Sequence, residues 1–238
     1  MASNYCVALD LGQARDYTAL AILEQLPGPV KAERAHYHLR HLERLALGTT
    51  YPNIVKQVRK LYQKREFGKL RPLLENAPLV VDVTGCGKPV FDMFVEENLY
   101  PVGIYIHGGD AVSCSENIFR VPKRDLVSVL QLLFQSERLK IAKQLPEAKT
   151  LIDELLNFRV KIDTRTAHDS YEAWREGQHD DLVLAVAMAA WYAERYLSTS
   201  ESVGFLPGQH RGDGLFDFET EAERDEGEDM GGNEPGFF

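Results

Sequence analysis

Residues 5–26 read YCVALDLGQARDYTALAILEQL. The run YCVALDLG is apolar and β-branched, which predicts a buried strand that stops at Gly12. After a short polar turn, DYTALAILEQL (16–26) predicts a second strand, hairpin-paired to the first and ended by the turn LPGP (26–29). One acid, Asp10, stands inside this apolar pair, close to the end of the first strand. A carboxylate there is costly unless it is paired or ligates a metal.

The rest of the chain extends that sheet. The stretch AERAHYHLRHLERLAL (32–47) alternates through Tyr37, Leu39 and the His/Arg positions, favouring a third strand. Ile54, Val55, Val58, Leu61 and Tyr62 recur at helical spacing between Tyr51 and Phe67. PLVVDV (78–83), bounded by Pro78 and Gly85, reads as a central strand carrying a second acid, Asp82. A helix over 87–99, a strand over 102–108 and an amphipathic helix over 123–136 follow, with Asp125 near the start of the last. Residues 146–157 predict another helix, FRVKID (158–163) a strand, and the segment after His179 a helix to about Tyr196. Three strands, then helices alternating with apolar strands, predict an α/β domain: a mixed sheet with helices on both faces.

GQHDDLVLAVAMAAW (177–191) places two adjacent acids, Asp180 and Asp181, ahead of one of the most apolar segments. Asp180 also reads as a helix cap or first-turn residue, favoured by the orphan amides and the dipole. Asp10 and Asp82 also read as turn residues ending their strands. Should the first and fourth strands be neighbours, Asp10 and Asp82 approach each other, and the start of the last helix can bring Asp181 to the same point. Carboxylates gathered in this way repel one another unless a hard divalent cation neutralises them. That is the requirement of two-metal phosphodiester hydrolysis.

The segments ALDLGQARDYTALAIL, LVVDVTGCGKPVFDMF and HDDLVLAVAMAAW resemble the nuclease domain of phage terminase large subunits, in the ribonuclease H-like superfamily. FRVPKRDLVSVLQLLFQSERLKIA (119–142) is similar to the segment between the second and third acidic motifs of that family, and the resemblance covers about residues 4–197. It implies a ribonuclease H-like mixed β-sheet and two Mg²⁺ or Mn²⁺ ions. Asp10, Asp82 and Asp181 map onto the metal-binding acids, with Asp180 as a fourth carboxylate. It also implies cleavage of double-stranded DNA during genome packaging, in the host cytoplasm for a viral protein. Lys123, Arg124 and His179 are candidates for DNA contacts, and Asp16, six residues after Asp10, for an accessory ligand. Tyr171 and Trp174 read as packing residues at the domain edge. The family's complete large subunit also carries an ATPase motor. Here the pattern G-x-x-x-x-G-K-[ST] is missing, and its nearest candidate, TGCGKP, has Pro89 after the lysine. The expected partners are therefore duplex DNA, a separate or removed packaging ATPase domain and other packaging proteins.

The net charge of −9 does not exclude DNA, because it is concentrated in one segment. Residues 211–238 hold ten acidic residues and two basic ones, leaving about −1 for residues 1–210. Basic residues cluster in 56–71 and in RVPKRD (120–125). Composition also changes after about Thr199, where Gly, Asp and Glu replace apolar periodicity. The expected division is a nuclease domain over 1–198 and an acidic, disordered tail over 199–238. Three scattered cysteines provide neither a disulfide framework nor a zinc motif, and no apolar run predicts a signal peptide or membrane span. Three other readings share parts of the pattern. A Holliday-junction-resolvase-like nuclease has the same carboxylates, an actin-like nucleotide-binding fold begins like ALDLG, and a catalytically idle DNA-binding scaffold needs no metal.

Overall fold

The computed structural model describes residues 4–12, 16–28, 34–63, 74–85, 87–163 and 180–197, with the side chains of Gly87 and 157–163 excepted. The expected tail, His179, Tyr171, Trp174 and the basic residues of 64–71 lie outside the described residues. Eight strands form one sheet: β1 (Asn4–Asp10), β2 (Ala19–Leu26), β3 (His36–Arg44), β4 (Leu79–Asp82), β5 (Val102–His107), β6 (Ser113–Ser115), β7 (Ile118–Pro122) and β8 (Leu139–Ile141). Their spatial order is β6-β7-β5-β4-β1-β2-β3-β8. The helices are α1 (Tyr51–Gln63), α2 (Gly87–Glu96), α3 (Lys123–Gln135), α4 (Ala148–Asp163) and α5 (Asp181–Tyr196). β1, β2 and β3 form an antiparallel meander, while β4, β5 and β7 add to β1 in parallel. This is the expected arrangement, a mixed sheet with helices on both faces. Among the described residues no helix is long and apolar enough to cross a membrane.

The pleat of β1 sorts its residues between two cores. Val7 and Leu9 join Ile22, Val81, Ile54, Val58 and Phe94 under α1 and α2. Cys6 and Ala8 join Ala19, Ala21, Val80 and Ile104 on the opposite face, under α3 and α5. Along α5, every residue from Asp181 to Ala193 is buried. Small residues explain how it lies so close to the sheet: Ala185, Ala187, Ala189 and Ala190 of the helix share a core with Ala8, Ala19 and Ala21 beneath. At its C-terminal end, the Gln25 amide donates to the carbonyls of Ala193 and Leu197, and Arg138 pairs with Glu194. The helix is thereby fixed along its length and in register.

One expectation needs correction. FRVKID is not a strand: it is the continuation of α4, which runs unbroken to Asp163. No Gly or Pro interrupts 148–163, and prolonging a formed helix costs less than starting a new element. The third strand forms as expected, as β3, and carries one irregularity. Ile22 pairs with His41 while Leu23 pairs with Leu39, so Arg40 is an extra residue, a β-bulge. The slip puts Tyr37, Leu39 and Leu42 in one core and turns Arg44, two residues beyond Leu42, to the same face as α5.

Gly12 closes the end of β1 for a steric reason. A Cβ there would lie 2.3 Å from the backbone oxygens of Asp16 and Tyr17, and backbone cannot swing aside. Its amide donates to Thr18 Oγ1 at 3.1 Å. Gly12→Ala is expected to cost about 2 kcal/mol, as overpacking does, read from the urea midpoint. A midpoint unchanged from wild type would show that the turn is not so tight.

Candidate active site

Asp10 ends β1 and Asp82 ends β4. The parallel register pairs Leu9 with Val81, so the next step places Asp10 beside Asp82. Both continue the pleat of Ala8 and Val80 and so face α5. The acids that the sequence spreads over more than seventy residues are neighbours at the ends of adjacent parallel strands. Asp180 immediately precedes α5 and Asp181 opens it, so the fixed helix delivers two more carboxylates to the same place.

The electrostatics of Asp10 show that the four form one cluster. Burial holds its carboxyl well above the usual range, and the charges of Asp82, Asp180 and Asp181, with a hydrogen bond to Asp82, push it the same way. Asp82 is also raised by burial, against the Thr84 hydroxyl and amide, Asp10 and the Lys123 ammonium. Thr84 is a brace. Its amide donates to Asp82 Oδ1 at 2.7 Å and its hydroxyl to the same oxygen, while that hydroxyl accepts from Ile106 on β5 at 2.8 Å.

Two cations hold the cluster from opposite sides. Lys123 Nζ lies 3.1 Å from Asp180 Oδ2 and also faces Asp10 and Asp82. Burial draws this ammonium down, and the three carboxylates draw it back up. A lysine at the first position of a helix opposes the dipole; the carboxylates it meets give the reason for its place. On the other side Arg44 Nε donates to Asp181 Oδ2 at 2.8 Å, and its Nη2 pairs with Glu154 of α4. Glu154 is buried, and that pushes its carboxyl up to about 8 against the pull of the Val183 amide and Arg44. Tyr17 stacks under Arg44, 4.8 Å from ring centroid to guanidinium carbon.

The structure brings together Asp10, Asp82, Asp180, Asp181 and Lys123. Arg124, by contrast, is half-exposed and paired with Asp110. Asp16 is exposed in the turn after β1. Arg44, Glu154 and Thr84 were not singled out by the sequence. Arg44 and Glu154 look there like members of solvated faces, and the bulge that turns Arg44 inward has no glycine or proline to announce it. From the basic stretch 56–71, Lys56 and Lys60 line a surface groove along α1 with Asn53, Gln57 and residues 47–49.

Among the described residues, no three His, Cys, Asp or Glu side chains already stand around one point as a metal cage. The pairing accounts for this: Asp180 is turned to Lys123, Asp181 to Arg44, and Asp10 and Asp82 to each other. The donor set itself fits a hard divalent cation. It is all carboxylate oxygen, Asp10 and Asp181 are buried, and the charges of the other three raise the affinity of Asp10 for positive charge.

No family model matches the chain. It is 28% identical over 185 residues, 78% of its length, to the terminase large subunit of Thermus phage G20c, and spans 31% of that relative. The crystal structure of the large terminase nuclease from phage G20c superposes with a TM-score of 0.49 at 23% identity, covering 80% of this chain and 82% of the other. The Mn-soaked terminase nuclease domain of human cytomegalovirus gives a TM-score of 0.48 at 14% identity, over 82% and 84% of the two chains.

Proposed function

We propose that this chain, a sequence relative of terminase large subunits, is a metal-dependent endonuclease that hydrolyses double-stranded DNA during viral genome packaging. The observation that carries the proposal is the convergence of Asp10, Asp82, Asp180 and Asp181 from two adjacent strand ends and one helix start. Similarity to terminase large subunits supports duplex DNA as the substrate and genome packaging as the setting.

In this reading Asp10, Asp82 and Asp181 hold Mg²⁺ or Mn²⁺, with Asp180 as a fourth ligand. Two such ions supply activation of the attacking water and stabilisation of the leaving oxygen. The protein's own part is placement. The sheet fixes Asp10 and Asp82, Thr84 orients one Asp82 oxygen, and Arg44 orients Asp181 through Oδ2. Lys123, which pairs with Asp180 and faces Asp10 and Asp82, is the ammonium that would meet a DNA phosphate at the cluster. Arg124, at the start of α3, His179 and the basic residues of 56–71 are the remaining candidates for phosphate contacts. Such contacts bind duplex with little base specificity. The ATPase motor and other packaging proteins are the proposed partners, and the host cytoplasm is the proposed place of action.

Linear duplex and a four-way junction, offered at equal concentration with Mn²⁺, separate this reading from a junction-resolving one. Duplex is expected to be cut at least as fast as the junction, with binding that weakens steeply between 50 and 200 mM salt, as counterion release requires. Cleavage confined to the junction would replace packaging with branch resolution.

A further inference from the structure

An aspartate immediately before a helix ordinarily turns its carboxylate back to the amide of the second or third helical residue. Asp180 holds that position before α5 and makes no such bond. The amide of Val183, the third residue of α5, donates instead to Glu154 Oε2 on α4, 3.1 Å away. Glu154 Oε1 takes the Arg44 guanidinium, whose Nε reaches Asp181. Asp180, relieved of its own helix, reaches Lys123 across the cluster. We infer that Glu154 is a positioning residue that caps α5 from the neighbouring helix, so that Asp180 stays in the carboxylate cluster rather than on its own helix end.

The physical basis is a competition for one carboxylate. A buried amide left without an acceptor is expensive, so without Glu154 the Val183 amide recruits the carboxylate at the cap position, Asp180. Turned that way, Asp180 points along its own helix start and no longer toward Lys123, Asp10 and Asp82. Glu154 thereby decides how many acids face the cluster without itself belonging to it. The consequence for cation binding rests on the nuclease reading, whereas the exchange of caps does not.

Two substitutions at Asp180 separate capping from charge: Asp180→Asn and Asp180→Ala both remove the charge, and only asparagine caps. In the otherwise wild-type chain the two variants are expected to have equal unfolding constants in urea, within about twofold, because no cap is lost. With Glu154→Met added, which keeps the volume and removes the acceptor, the asparagine variant is expected to be about fivefold more stable than the alanine one. An equal gap in both backgrounds overturns the inference. So does a fivefold gap already present with Glu154 intact, a result that does not depend on the methionine variant folding. Calorimetry with Mn²⁺ alone gives the second readout. Glu154→Met is expected to weaken binding about tenfold, as loss of a supporting contact does, and adding Asp180→Ala to change it little further. Independent, multiplying losses overturn the link to the cluster. If the wild-type chain binds no Mn²⁺, the nuclease reading fails and the urea comparison still decides who caps α5.

Discussion

Asp10→Asn is expected to raise the melting temperature of the metal-free protein and to abolish its Mn²⁺-dependent cleavage. Asp10 is buried among three other carboxylates, and its carboxyl is held well above the usual range by burial and by their charge. A folded-state pKa above the unfolded value means that ionisation opposes folding. The stability this group contributes is complete below its unfolded value, near 3.8, and is lost as pH rises through the folded value. Asparagine keeps the shape and a donor toward Asp82 without the charge. The gain is expected to be about 1 kcal/mol, or about 3 °C in a chain of this size, and larger at pH 8 than at pH 5. Cleavage is expected to fall about a thousandfold or more, which corresponds to about 4 kcal/mol of lost transition-state stabilisation. Mn²⁺ is expected to raise the melting temperature of wild type and to leave that of the variant unmoved. A variant that melts lower than wild type at both pH values would mean that Asp10 is not strained by its neighbours.

Arg44→Ala has the largest expected effect on folding. The Arg44 side chain is 15% exposed, and its two partners, Glu154 and Asp181, are 6% and 7% exposed. Removing the guanidinium leaves Asp181 buried without its cation, beside Glu154, whose carboxyl burial already pushes up to about 8, and breaking a buried pair in this way costs about 3 kcal/mol. Melting is expected to drop by about 9 °C, and cleavage to fall with it because Asp181 loses the contact that orients it. Arg44→Lys keeps the charge and loses the fork that reaches both acids, so it is expected to recover only part of the loss. A loss below about 1 kcal/mol in alanine, measured by urea unfolding, would show that water already shields this pair.

The parts legible in the sequence are those with a period or an unexplained charge. The apolar run YCVALDLG reads as a buried strand, and β1 is buried on both faces with the lone acid Asp10 at its end. The helix after His179 is buried from Asp181 to Ala193, as the apolar composition of 182–193 requires. FRVKID misleads because Phe158, Val160 and Ile162 alternate with charges, a pattern that a strand and the flank of a continuing helix share. β8 has three residues, too few for any period to show. The supports of the site were hidden for another reason: Arg44 is aimed by a bulge in β3 and Glu154 by the packing of α4 on α5, and both are tertiary facts. Asp180 was open between cap and cluster. Its position is that of a cap and its side chain is turned to the cluster, a combination that depends on a residue of another helix.

The central claim is that the four gathered aspartates make a divalent-cation site that cuts DNA. The most direct measurement is cleavage of a plasmid by the wild-type chain and by Asp82→Asn, side by side, in Mn²⁺, in Mg²⁺ and in EDTA. Wild type is expected to nick and linearise the plasmid with either metal and to leave it intact in EDTA, and the folded variant to leave it intact throughout. Equal cutting in EDTA, or persistent cutting by pure Asp82→Asn, would contradict the account.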